Sequence, residues 1–187
     1  MGLDRQTIIA AAAVIADADG LENVTLAAVA DRLGVRKPSL YNHLNGLPEL
    51  RGELAIWATR QLTAKISQAA IGKAKSDAIA AIAAAYRTFA HQRPGVYRAI
   101  VSSPDRNNRH LQAAIEDMMQ VITIILEPYN LGTEGSIHAV RGLRSLMHGF
   151  VSLEAAGWFA AAVDRDESYI QLINTFLDGI ESSASKT

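Results

Sequence analysis

The run from Thr25 to Leu44, TLAAVADRLGVRKPSLYNHL, restricts the fold more tightly than any other part of the chain. It sets a helix, its end and the start of a second helix in quick succession. Thr25 is a good N-cap, because its hydroxyl can accept from an otherwise orphan amide, and Val24 and Val29 stand where a hydrophobic staple clamps the entry. Leu26, Val29, Ala30 and Leu33 recur at i, i+3, i+4 and i+7 and form one apolar stripe. Gly34 supplies a left-handed residue to end that helix, with Val35 as the hydrophobic residue that follows. Pro38 suits the first position of the next helix, where its missing N–H costs nothing. Leu40 and Leu44 then point to the core, leaving Lys37, Ser39, Tyr41, Asn42 and His43 outside.

A helix–glycine–helix unit dressed in this way meets the needs of a DNA-binding helix-turn-helix, whose second helix enters the major groove. Arg36, Lys37, Tyr41 and His43 can donate to phosphates, while Lys37, Ser39 and Asn42 can read base edges. On spacing alone, a surface helix hairpin with a solvated polar face fits equally well.

The residues themselves separate these readings. Thr25, Val29–Ala30, Leu33–Gly34–Val35, Ser39–Leu40–Tyr41 and His43, with Gly20 and a long helix from near Glu49, resemble the DNA-binding domain of the tetracycline-repressor (TetR) family of transcriptional regulators. The likeness is close over the first quarter of the chain and general beyond it. Two positions depart from the family pattern: Leu44 stands where an aromatic is common, and Leu47 where a phosphate-gripping lysine is common. The resemblance implies an all-α chain, with a three-helix DNA-binding domain over 1–48 and a larger antiparallel helical bundle over 49–187 for effector binding and dimerisation. It also implies a ligand-responsive repressor that binds a palindromic operator as a homodimer. The DNA-binding candidates are Thr25, Arg36, Lys37, Pro38, Ser39, Tyr41, Asn42 and His43.

Composition agrees. Alanine is plentiful and strand-type runs are scarce, so helices are favoured. The net charge of −1 argues against a non-specific nucleic-acid coat, yet no acid falls between Arg32 and His43. Positive charge is thus concentrated at the groove-facing segment, as a sequence-specific binder requires. The absence of cysteine excludes disulfides and thiolate metal sites and fits a reducing cytoplasm. No charge-free run of about 18 apolar residues exists, so no membrane span is expected.

In chain order, the pattern predicts helices over about 4–19, 25–33, 37–44, 49–70, 76–92, 96–101, 109–126, 136–162 and 168–181, with Arg93-Pro94-Gly95 as punctuation and a polar loop from Ser103 to His110. Gly142, Ser145, Gly149, Ser152 and Ala156 form a small-residue face that allows close helix approach. In the TetR family the last two long helices pair with those of a second subunit. By that resemblance this face, with Ile173, Phe176 and Ile180, is the candidate dimer interface; packing within one subunit is the plainer alternative. The region Arg141–Leu153 also partly resembles the WHG-type C-terminal domain, with Met147 in place of its Trp.

Trp57, Tyr86, Phe89, Tyr97, Met118, His148 and Trp158 could line an effector pocket, as could Met119 and Phe159, and such a lining suits an apolar or aromatic ligand. Aromatics and methionine at helical spacing are more often core. Catalysis is not expected. The histidines 43, 91, 110, 138 and 148 form no i, i+3 or i, i+4 pair, and the nucleophile-elbow, Walker and dinucleotide glycine patterns are absent. No cofactor and no metal are expected. The competing class is a dimeric helical module that binds a small molecule or a protein but not DNA.

Overall fold

The computed structural model describes residues 2–102 and 107–184. Among them every regular element is helical and none is a strand. The helices are α1 (Arg5–Asp19), α2 (Leu26–Leu33), α3 (Lys37–Leu40), α4 (Leu47–Ala70), α5 (Lys75–Gln92), α6 (Pro94–Val101), α7 (Arg109–Leu126), α8 (Gly132–Ala155) and α9 (Arg165–Ala184). The chain groups into two compact units, residues 1–62 with 92–116, and 63–91 with 117–187. The expected polar loop at 103–110 falls partly on residues 103–106, outside those described.

The first unit is built on α1. Asp4 caps it by accepting from the Thr7 amide at 2.7 Å, and that bond holds the carboxyl below its ordinary range. Ile8, Ala12 and Ile15 are buried as the periodicity requires, and Ala11, Ala13 and Ala16 are buried with them. These alanines let neighbouring helices come close, because nothing longer than a methyl group holds them off. Helix α6 uses that closeness. Arg93-Pro94-Gly95 does not merely punctuate: Pro94 and Gly95 lie inside α6, and Gly95 is buried. A Cβ on Gly95 would collide with the carbonyl of Ala16, so the glycine is required by contact. Asp17 completes the joint by accepting from the Val96 amide at 2.9 Å and pairing with Arg93, whose guanidinium also lies 5.4 Å from the centre of the Trp57 ring. The compact unit therefore reaches well past residue 48.

In the second unit α5 presents Ile79, Ile82, Tyr86 and Phe89 inward, all buried. The buried Tyr169 hydroxyl of α9 donates to the Ala83 carbonyl at 2.9 Å. Arg87 makes a two-pronged bond to Glu154 at 2.7 and 3.0 Å and reaches Asp166 at 2.8 Å, with its charge over the rings of Phe150 and Tyr169. His91 lies 2.7 Å from the same Glu154 carboxylate.

Helix α8 departs from its expected bounds of 136–162. It starts at Gly132 and stops at Ala155, because Gly157 turns left-handed at φ +75° and the Trp158 amide reaches back to the Leu153 carbonyl at 3.0 Å. That six-residue closure is a helix stop, and Trp158 falls beyond it.

Candidate nucleic-acid interface

The helix-turn-helix segment is assembled from its caps outward. Thr25 Oγ1 accepts from the Ala28 amide at 3.1 Å, and Val24 and Val29 are fully buried beneath that turn. Gly34 ends α2 at φ +66°, and the Val35 amide closes back on the Ala30 carbonyl at 3.0 Å. The chain then enters α3 with Pro38 in its first turn. Although α3 is short, amide bonds from His43 and Leu44 to the Leu40 carbonyl, both 3.0 Å, carry the coil to Leu44. Leu40 and Leu44 are buried. Around them Arg36, Lys37, Pro38, Tyr41 and Asn42 are exposed, while Ser39 and His43 are half-buried at the edges. Thr25 is exposed at the mouth of α2. Tyr41, 54% exposed, is the large aromatic displayed on this surface.

Three residues outside the segment hold it in place. Arg5 donates through Nε and Nη2 to the His43 carbonyl, at 3.3 and 3.0 Å. The same guanidinium pairs with Glu49 and, at 3.2 Å, with Glu53. The other oxygen of Glu49 accepts from the Asn45 amide at 2.6 Å, and this bond, ahead of the Arg5 charge, holds the carboxyl below its ordinary range. The turn after the reading coil is thus tied on both sides, to α1 and to α4. Sequence reasoning missed all three residues. Glu49 and Glu53 stand one turn apart and ask for a cation, but nothing in the linear order names Arg5, 44 residues from Glu49.

Comparison with known proteins bears on this arrangement. The family of bacterial regulatory proteins named for tetR matches residues 8–44, and the tetracyclin repressor-like C-terminal domain matches residues 79–176. The helix-turn-helix-type transcriptional regulator YobS of Bacillus subtilis, itself uncharacterised, is 36% identical over 181 residues, covering 96% of this chain and 94% of the relative. The chain belongs to the TetR family. It is accordingly a TetR-type transcriptional regulator. Solved TetR-family structures share its fold at lower identity. The regulator SCO7222 of Streptomyces coelicolor superposes with a TM-score of 0.79 at 17% identity, over 98% of this chain and all of that one. ActR of the same organism, in complex with (S)-DNPA, gives 0.72 at 13%, again over 98% and 100%.

Beyond the TetR-like reading head, the expected effector residues are not gathered into one compact unit. Trp57 and Tyr97 belong to the first, and Tyr86, Phe89, Met118, His148 and Trp158 to the second. Tyr86, Phe89, Tyr97 and Met118 are buried packing residues, and Trp57 is half-buried against Arg93. His148 is half-buried, 3.3 Å from Ser152 Oγ, and burial followed by the nearby Arg144 charge pushes it below its ordinary range. Trp158 is 74% exposed and, with Phe150 and Phe159, borders a cavity of about 380 Å³. Met119 lines a larger one, about 750 Å³, between α7 and α8.

The interface candidates divide similarly. Ile173 and Ile180 are buried inside the second unit, and the Phe176 ring comes within 3.3 Å of where a Cβ on Gly142 would sit. Ile173 and Ile180 are thus taken up within the chain, as the plainer alternative expects, while Phe176 and Gly142 stay half-buried against each other. Ser145 and Ala156 are exposed, Ser152 is half-buried, and a Cβ on Gly149 would meet open space. Leu153, expected as an apolar wall of that face, is exposed, as are Ile137 and Ile170, which the sequence pattern does not single out.

Proposed function

We propose that this TetR-family regulator is a cytoplasmic repressor that binds a palindromic DNA operator as a homodimer and is released by a small-molecule effector. The observation carrying this reading is the division of one short coil. Leu40 and Leu44 are sunk in the core while Arg36, Lys37, Tyr41 and Asn42 face solvent together. A solvated hairpin has no need of that mixture, whereas a helix entering the major groove needs cations and hydroxyls for phosphates and an amide for a base edge. Two such coils held about 34 Å apart would meet successive half-sites of a palindrome. Exposed Ile137, Leu153 and Ile170 supply apolar surface for the second copy. Effector release is supported by the fold shared with ActR, whose structure holds (S)-DNPA. An effector acts here only through its differential affinity for the operator-competent and incompetent states.

A mobility-shift titration with the DNA upstream of the protein's own coding sequence tests the reading. Tyr41→Ala should weaken binding to all sequences. Lys37→Ala should cost about 1–3 kcal/mol on the preferred site and less elsewhere. Unchanged operator affinity in Tyr41→Ala would show that this coil does not enter the groove.

A further inference from the structure

The geometry points to a binding groove for an amphipathic monoanion, an acyl or aryl carboxylate with an extended apolar body, between the end of α4, the start of α5 and the end of α7. The groove holds about 390 Å³. Its walls are Ala70, Ile71, Val121, Ile124 and Ile125, and Lys73 and Lys75 belong to the same lining.

Three features coincide at this place. First, Ile71 and Ile124 are 76% and 52% exposed, so the groove shows water two large apolar side chains that burial would remove from it. Secondly, both lysines are exposed, and neither forms an ion pair among the described residues. Thirdly, the connector between α4 and α5 is held in left-handed backbone, at Gly72 with φ +73° and at Lys75 with φ +49°. Glycine adopts that conformation freely, but a residue with a side chain does so at a cost, and such residues cluster at ligand clamps. An apolar trough with cations and no acid in its lining selects a ligand of opposite pattern: one negative end, one greasy body. A free amphipathic acid and an anionic lipid surface both offer that pattern, and the vesicle arm of the test separates them. The site gives the effector-release reading a ligand class, and it depends on that reading only for its regulatory consequence.

The test is calorimetric titration of the full chain, without DNA, with alkanoates from octanoate to dodecanoate below their micellar concentrations. Dodecylamine is the control of opposite charge. Affinity should rise about three- to fourfold per added methylene and vanish for the amine. A Lys73→Glu/Lys75→Glu variant should lose about tenfold in dodecanoate affinity, while Lys65→Glu, outside the groove, should not. Ile71→Asp, at an exposed position where the fold is not at stake, should weaken binding as well. Equal binding of amine and acid, no dependence on chain length, or full affinity in the charge-reversed variant would overturn the proposal. So would sedimentation with phosphatidylglycerol vesicles coupled with no binding of the free acids, which would assign the surface to a membrane. Operator release is scored separately: a chain that binds dodecanoate yet keeps its operator affinity supports the groove and counts against release by this ligand.

Discussion

Arg5 stands at the start of α1, but the carbonyl it holds belongs to His43, at the end of the reading coil. Its pairs with Glu49 and Glu53 are part-exposed, so their direct worth is about 1 kcal/mol or less. Their consequence lies in geometry: the coil is so short that a small tilt re-aims Tyr41 and Asn42, the residues proposed to face the groove. Arg5→Ala should therefore lower stability by no more than about 1 kcal/mol in urea titration yet reduce operator affinity in a mobility shift by more than that loss explains. Arg5→Lys should restore little, because an ammonium lacks the planar fork that reaches the carbonyl and the two carboxylates together. If both variants bind the operator as the wild type does, the clamp is ornamental. The face of the coil itself was legible in the sequence, since caps, glycine, proline and two leucines are local signals. The clamp was not, because it joins residues that only tertiary packing brings together.

Among the elements, two glycines show where local signals were used and where they were overlooked. Gly34 followed by Val35 marks the end of α2, and Gly157 followed by Trp158 marks the end of α8 by the same left-handed turn and the same backward amide bond. The first pair stands between two clear apolar stripes and is legible from the sequence. The second lies in a stretch of alanine and aromatics whose periodicity continues past the stop, so the pattern alone carries the helix on to 162. Gly95 looks like punctuation in the linear order because its reason for being glycine, the carbonyl of Ala16, lies in another helix. Gly95→Ala should cost at least about 3 kcal/mol, measured as a fall in the urea midpoint, since backbone must move to admit the methyl. Gly149 gives the opposite expectation. A Cβ there meets nothing within the chain, so Gly149→Ala should gain about 1 kcal/mol of helix propensity in a monomer. Gly149→Leu should shift the mass measured by light scattering from dimer to monomer if α8 meets a second copy at this point. A dimer unaffected by leucine would move the interface elsewhere.

For the molecule as a whole, acid stability is set by groups that hold their charge too well. Glu154, bonded by Arg87, and Asp4 and Glu49, each bonded by a backbone amide, all sit below their ordinary ranges. As pH falls the unfolded chain takes up these protons first, so the stability these carboxylates contribute above pH about 4.5 should drain away below it. His148 acts in the same direction at a higher pH: its lowered value means the unfolded chain protonates first as pH falls through about 6.5. Tyr129 and Tyr169, both raised chiefly by burial, act at the other end, and stability should decline above pH about 10 as the unfolded phenols ionise. Urea midpoints across pH should trace this dome, and Glu154→Gln should flatten its acid limb. The joint between α1 and α6 has a separate consequence for anyone wishing to transplant the N-terminal helix-turn-helix. Asp17 and Ala16 are met by residues some eighty positions later, so a fragment cut after Pro48 would carry a bared strip of alanines and an orphaned carboxylate. A portable version of this unit must be stitched from discontinuous sequence, with α6 looped back onto its first helix.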